Sequence, residues 1–206
     1  MGRASAGIKT LSDTPQIVLQ SKRKPDTQHR LNLDLKGSYQ NKNVKAVLSS
    51  TEILQRQGFH ISEADLRAGL SEVKKQTGLL GRWQTLNTDP LIICDTGHNE
   101  DGIKEVLKNI QTVSYQKLHF VLGMVKDKDI SKVLSLLPKE AYYYFTQPQL
   151  ERAKPSIELA REAAAFGLEG ESFHTVSEAV SAAKKNAAKD DFIFIGGSTF
   201  VVAEAL

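Results

Sequence analysis

Apolar positions change their spacing several times along the chain, and each change marks an element. Gln16–Gln20 is a short apolar run with strand character. Arg30-Leu31-Asn32-Leu33-Asp34-Leu35 alternates polar and apolar, the period of a half-buried strand, and Gly37 ends it. Over residues 42–57, Val44, Val47, Leu48, Thr51 and Leu54 recur on one helical face, and Gly58 stops the run. Ser62-Glu63-Ala64-Asp65 has the form of a capping box with an aspartate in the place of Glu or Gln. It opens one helix, ending before Gly78, whose Leu66, Leu70 and Val73 share a face. Residues 1–14 have no period and read as a loose lead-in, and Lys22–Gln28 is a polar turn around Pro25.

From Gly81 the rhythm is different. Near-continuous apolar runs at Leu91–Cys94, Leu118–Leu122, Ala141–Phe145 and Phe192–Ile195, with a shorter strand near Ser172-Phe173, alternate with helical segments after each. Those helices are expected after Asn99, over 129–137, 155–166 and 176–188, and from Ser198. Strands apolar on both faces, each followed by a helix, predict an α/β fold with an open, mostly parallel sheet. Residues 1–78 hold too few elements to bury themselves well and look like the tail of a larger domain. They are expected to leave apolar surface exposed on the Val44/Leu48 or the Leu66/Leu70 face.

Composition narrows the class. The chain has 206 residues, 40% hydrophobic and 25% charged, which excludes full-length disorder. The apolar runs fall far short of the roughly 18–20 residues that cross a bilayer, and there is no signal peptide, so the expected compartment is the cytoplasm with no membrane partner. The single cysteine, Cys94, cannot form an internal disulfide, and it follows apolar strand residues, which favours burial over nucleophilicity. The five histidines show no metal-ligand spacing, so no metal site is expected from this chain alone. Net charge is +3 but uneven: residues 1–80 carry 13 Lys and Arg against 7 Asp and Glu, and the remainder carries 14 against 17. The basic half suits phosphorylated ligands or is simply a solvated surface. No aromatic residue is interleaved with Lys22-Arg23-Lys24, so nucleic acid is not an expected partner.

In open parallel sheets ligands bind beyond the carboxyl ends of the strands. The residues there are Asp95-Thr96-Gly97-His98-Asn99, Gly123-Met124-Val125-Lys126-Asp127 and Gly196-Gly197-Ser198-Thr199. Asp95 can accept from ribose hydroxyls or be a solvated strand end. His98 and Asn99 can meet a base, a phosphate or a carboxylate, or Asn99 can cap the next helix. Gly196-Gly197-Ser198 lets backbone approach an anion, with Ser198 as an N-cap in either case. Arg82, in Gly81-Arg82-Trp83-Gln84, can fork a phosphate or flank a buried Trp83 as a surface cation. The run Lys126–Asp129 reads as a solvated loop. No G-x-x-x-x-G-K-[ST], G-x-G-x-x-G or G-x-S-x-G motif is present in the 206 residues.

The ordered set Tyr39-Gln40…Asn43, Gly81-Arg82-Trp83-Gln84, Asp95-Thr96-Gly97-His98-Asn99 and Gly196-Gly197-Ser198-Thr199-Phe200 resembles the C-terminal part of folylpolyglutamate synthase/dihydrofolate synthase, of the Mur ligase superfamily. The resemblance covers about residues 30–206, and His98-Asn99 favours the folate branch over the peptidoglycan-type ligases. Glu100 departs from it, standing where the family usually has proline.

The resemblance implies a Rossmann-like domain over 79–206, preceded over 1–78 by a remnant of the central ATP-binding domain. It implies an ATP-dependent ligase that phosphorylates a carboxylate and lets the amine of L-glutamate displace phosphate, with folate or dihydropteroate as acceptor. By the same resemblance Asn43 meets the adenine end of ATP, Arg82 its phosphates, and Asp95 the ribose, unless Asp95 orients that region instead. His98 and Ser198 line the incoming glutamate, with Arg82 and His98 as the catalytic pair. Mg2+ would be held mainly by a phosphate-loop part outside this sequence. The chain is accordingly expected to be an incomplete enzyme, from a monomeric full-length protein whose fragment can self-associate. A nucleotide-binding or interaction module without chemistry, and a fragment of a peptidoglycan-type ligase, are the alternatives.

Overall fold

A computed structural model describes residues 16–20, 28–126 and 130–206. The expected lead-in over 1–14, the turn around Pro25 and most of the 126–129 charge run lie outside the described residues. The chain divides into two compact units. One takes the described residues up to Lys36 together with Gln40–Gly78, and the other takes Gly37–Tyr39 and the described part of Leu79–Leu206.

In the first unit, β1 (Gln16–Gln20) and β2 (Gln28–Asn32) pair antiparallel, with Ile17 opposite Leu31. They are followed by α1 (Gln40–Arg56), α2 (Glu63–Ser71) and α3 (Val73–Thr77). The Ser62 capping box forms as the sequence predicts: the Ser62 hydroxyl accepts the Asp65 amide, and the Asp65 carboxylate accepts the Ser62 amide at 2.8 Å. The single helix expected up to Gly78 is broken at Glu72, because the Lys74 amide donates to the Asp34 carboxylate at 2.7 Å rather than to a carbonyl of the preceding turn. The expected exposed apolar surface on the Val44/Leu48 face is present in part, and the Leu66/Leu70 face is half-buried. Val44 is buried with Leu31 and Leu33, and Leu48 and Leu70 pack against them. Among the described residues of this unit, Val47 and Leu54 on that same α1 face are exposed, as are Ile53 and Phe59.

The second unit runs β3 (Gln84–Thr88), β4 (Leu91–Cys94), α4 (Glu100–Ile110), β5 (Leu118–Gly123), α5 (Ser131–Leu136), β6 (Tyr142–Thr146), α6 (Ser156–Ala164), β7 (Glu169–Ser172), α7 (Val176–Asn186), β8 (Phe192–Gly196) and α8 (Thr199–Ala205). The strands form one six-stranded sheet in the order β3-β4-β8-β5-β6-β7. All neighbours are parallel except β3, which runs antiparallel to β4. This is the open, mostly parallel sheet that the apolar runs predict, with β3 added at one edge.

Alternation along each strand sends its two sets of side chains to two cores. Ile93, Phe120, Leu122, Tyr143 and Phe194 face one side, where Ile103 and Val106 of α4, Val133 of α5 and Leu159 of α6 cover them. Ile92, Val121, Tyr144, Ile193 and Ile195 face the other, under Ala179 and Ala183 of α7 and Val201 and Val202 of α8. The small alanines let α7 lie close to the sheet. Phe120 meets Phe194 edge-on at 4.9 Å and stacks on Tyr143 at 5.4 Å, and burying each such ring contributes about 1.5–3 kcal/mol. At the amino-terminal side of the sheet a buried polar group is fully engaged. His119 Nε2 lies 3.2 Å from the Asp191 carboxylate and Nδ1 lies 3.0 Å from the Tyr144 hydroxyl, while Asp191 also accepts the Ala188 and Lys117 amides. Among the described residues no helix is long and apolar enough to cross a membrane.

Candidate functional site

The chain leaves β4 and β5 for helices on one face and leaves β8, which lies between them, for a helix on the other. Such a reversal opens a crevice at the carboxyl ends of the strands. The Asp95 amide donates to the Ile195 carbonyl at 3.1 Å, so the loops after β4 and β8 begin side by side. Because β3 is antiparallel, its first residue, Gln84, pairs with the last of β4, Cys94. The Gly81–Gln84 turn therefore reaches the same edge. Asp95, His98 and Ser198 are thus brought to one edge of the sheet, as the sequence pattern predicts, and the turn that carries Arg82 joins them there. Asn43 lies on α1 in the other unit, where its amide donates to the Gln40 side chain at 2.9 Å and it is otherwise exposed.

Asp95 is the hub of this edge. Only 2% of the residue is exposed. Its Oδ2 accepts from the Tyr39 hydroxyl at 2.6 Å and from the Trp83 amide at 2.8 Å, and its Oδ1 accepts from the Gly97 amide at 2.8 Å. Burial pushes the carboxyl above the usual aspartate range, against the pull of these donors and of the Arg82 charge. Both oxygens are turned to the protein, so of the two roles implied for Asp95 the geometry fits orientation of the surrounding turn, not direct contact with a ribose. Sequence reasoning gave Tyr39 no role; its partner lies 56 positions away, and nothing local marks the contact.

The turn that carries Arg82 is held at both ends. The Thr96 amide donates to the Gly81 carbonyl at 2.9 Å, and the Gly81 amide donates to the Gln84 side chain at 2.8 Å. Trp83 has a left-handed φ of 46° and a buried ring that packs on Phe194 at 6.0 Å and on Phe192 at 6.4 Å. Arg82 itself is exposed, a guanidinium projecting from a fixed backbone and suited to a phosphate.

His98 is exposed, and its Nδ1 lies 3.0 Å from the Thr96 carbonyl. A carbonyl only accepts, so Nδ1 carries the hydrogen and Nε2 is the acceptor of the neutral ring. Asn99 caps α4, accepting the Gly102 amide at 2.7 Å. Ser198 is buried and caps α8, accepting the Phe200 amide at 3.2 Å, which leaves its hydroxyl hydrogen to give. Cys94 is fully buried and its thiol is pushed up to about 12, by burial first and then by the Asp95 charge, so it is no nucleophile here. Thr96 Oγ1 is buried and has no hydrogen-bond partner among the described residues.

A strap also crosses this edge that the sequence did not announce. The Lys126 amide donates to the Arg152 carbonyl and the Lys154 amide to the Met124 carbonyl, each at 2.9 Å. The Arg152 guanidinium lies 4.9 Å from the centre of the Phe200 ring. For a divalent cation, no group of three or more His, Cys, Asp or Glu able to hold a metal ion occurs among the described residues, so none of these residues is assigned to magnesium.

Residues 81–199 match the family described as Mur ligase, glutamate ligase domain. The chain is 29% identical over 184 residues to the dihydrofolate synthase/folylpolyglutamate synthase of Haemophilus influenzae, covering 79% of this chain and 40% of that protein. It is 28% identical over 148 residues to the protein of the same description from Buchnera aphidicola subsp. Schizaphis graminum, covering 71% of this chain and 34% of the relative. In structure it resembles Escherichia coli FolC in complex with DHPP and ADP, with a TM-score of 0.71 and 24% identity over 88% of this chain and 41% of that one. The chain therefore spans well under half the length of the relatives it matches.

Proposed function

As the chain belongs to the Mur ligase family through its glutamate ligase domain, we propose that it is the C-terminal part of an ATP-dependent ligase that adds L-glutamate to folate or dihydropteroate. The observation that supports this reading is the convergence, inside the matched span, of the Arg82 turn, the Asp95 hub, His98 and Ser198 at one edge of the sheet. The chemistry needs such an arrangement. A carboxylate oxygen is a poor leaving group, and phosphoryl transfer from ATP makes it a good one. The protein's task is then to position the groups and to stabilise charge.

Arg82 meets the phosphates of the nucleotide. Asp95 acts by fixing the backbone from which Arg82 projects. His98 and Ser198 line the glutamate: the free Nε2 of His98 accepts from its ammonium group, and the hydroxyl hydrogen of Ser198 is given to a carboxylate. Residues 1–78 belong to the nucleotide-binding domain that precedes the sheet in such ligases, and magnesium would be held mainly by the part of that domain that lies outside these 206 residues.

Within these 206 residues there is no phosphate-loop motif. Most phosphate contacts are then missing, and the chain alone is expected to bind nucleotide weakly without turning over. The test is ADP release in the presence of magnesium, folate or dihydropteroate, and glutamate. It is run on residues 1–206 alone and on an assembly in which they are joined to a phosphate-loop domain of a relative. The joined protein should release ADP only with both co-substrates, and Arg82→Ala should lower turnover without lowering the unfolding midpoint. Robust turnover by residues 1–206 alone, or an Arg82→Ala assembly as fast as its parent, refutes the assignment.

A further inference from the structure

We propose that Tyr39 is a positioning residue for Arg82, acting through the Asp95 carboxylate. The consequence for nucleotide binding rests on the function proposed above; the clasp itself does not.

The segment Gly37–Tyr39 packs with the sheet unit although Lys36 before it and Gln40 after it belong to the other unit. Three contacts seat it there. Gly37 has a φ of +103°, and a Cβ on it would lie 2.9 Å from Cε1 of Tyr39 and 3.2 Å from Cβ of Trp83, so glycine alone fits beside both side chains. The Ser38 amide donates to the Asn109 side chain of α4 at 3.0 Å. The Tyr39 hydroxyl then donates to Oδ2 of Asp95, the same oxygen that receives the Trp83 amide.

That shared oxygen links the segment to Arg82. Trp83 holds a left-handed φ that residues with a side chain seldom adopt, and its amide has the Asp95 oxygen as its acceptor. A buried carboxylate is stable only while its donors are in place. Without the phenol, Asp95 keeps two donors instead of three, one on each oxygen. It is then free to rotate or to take up a proton, and either change weakens its hold on Trp83 and so on the neighbouring Arg82. The Tyr39 hydroxyl keeps its proton, because burial first and then the Asp95 charge push its titration well above the ordinary tyrosine range. It therefore remains a donor across the accessible pH range.

The test uses residues 1–206 and their only tryptophan, Trp83, which lies in the clasp. Tyr39→Phe keeps the ring and its packing, and Asp95→Asn is the second variant should the first fold poorly. In amide hydrogen exchange, Tyr39→Phe should speed exchange at Trp83 and Gly97 by about tenfold or more, the usual worth of a charge-assisted bond. Amides in the middle of the sheet, such as Val121 and Ile193, should be unchanged. Unchanged exchange at Trp83, or an equal rise at every amide, overturns the proposal. In the second arm ATP is titrated and followed by Trp83 fluorescence. Tyr39→Phe should weaken ATP binding several-fold in the parent chain and not at all in an Arg82→Ala background. Additive losses in the double variant would make Tyr39 merely structural and overturn the proposal. A parent chain indifferent to ATP would overturn the nucleotide reading, while the exchange arm would still decide the clasp.

Discussion

Replacing Gly197 by alanine is expected to destabilise the sheet unit by about 2–5 kcal/mol. Gly197 sits between β8 and α8 with a φ of +89°. An alanine held there carries left-handed strain of about 1–2 kcal/mol. Its Cβ would also lie 2.6 Å from Cδ1 of Leu122 and 2.8 Å from the Gly123 carbonyl oxygen. The leucine tip can turn aside, but the carbonyl belongs to the end of β5 and can move only with the strand, an overpacking cost of about 1–3 kcal/mol. Gly167 is the internal control. Its φ is +75°, but the nearest atom to an added Cβ is Cδ of Lys139 at 3.6 Å, an ordinary contact. Gly167→Ala should therefore cost only the strain, about 1–2 kcal/mol. Urea unfolding followed by Trp83 fluorescence reads this unit alone, because Trp83 is the chain's one tryptophan. Equal losses for the two variants, or a Gly197→Ala loss below about 1 kcal/mol, would refute the contact reasoning.

Two pH dependences follow from buried groups. Burial raises the titration of Tyr39, Tyr143 and Tyr144 above the ordinary tyrosine value, so their contribution is full below about pH 10 and is lost as pH rises toward their folded values. Urea midpoints should fall steadily above about pH 10, and a flat profile there would show that these phenols ionise freely in the folded chain. Asp191 behaves in the opposite sense: burial pushes its carboxyl up, but the Ala188 amide, His119 and the Lys117 amide outweigh this and hold it below the usual range. Its contribution is present above about pH 4 and is lost as pH falls through the lowered value. Asp191→Asn should lower stability at neutral pH and flatten that acid limb; an unchanged acid limb would assign it to other carboxylates.

The strands at Leu91, Leu118, Tyr142 and Phe192 were legible because both faces of the sheet are covered, so their sequences are apolar at nearly every position. β3 was not legible for the converse reason. Gln84–Thr88 is an edge strand whose side chains are half-buried or exposed, and Leu86 is its only apolar residue. The Ser62 box was readable since its partners are three residues apart, whereas the break at Glu72 depends on Asp34, 40 positions from Lys74. On α1 the apolar stripe was visible, but which part of it meets Leu31 and Leu33 was not, and Val47 and Leu54 turned out exposed. The candidate site divides in the same way. Strand-end loops announced Asp95, His98 and Ser198, because a parallel sheet gathers such loops at one edge. The Tyr39 phenol and the Arg152 strap depend on contacts made only after folding.

The strand order has a consequence for how the protein is made. β8 lies between β4 and β5, yet it is the last of the six strands to be synthesised. Until Phe192–Gly196 exists, the nascent chain can build only a β3–β4 ribbon and a β5–β6–β7 sheet. Each ends in an unpaired, largely apolar strand, the kind of edge that templates aggregation. One late insertion satisfies both edges at once and joins two pieces that share no backbone ladder without it. Closure of this sheet is therefore non-local and concentrated in a single step. The interval in which the chain depends on ribosomal shelter or a chaperone is timed by the emergence of five residues from the exit tunnel.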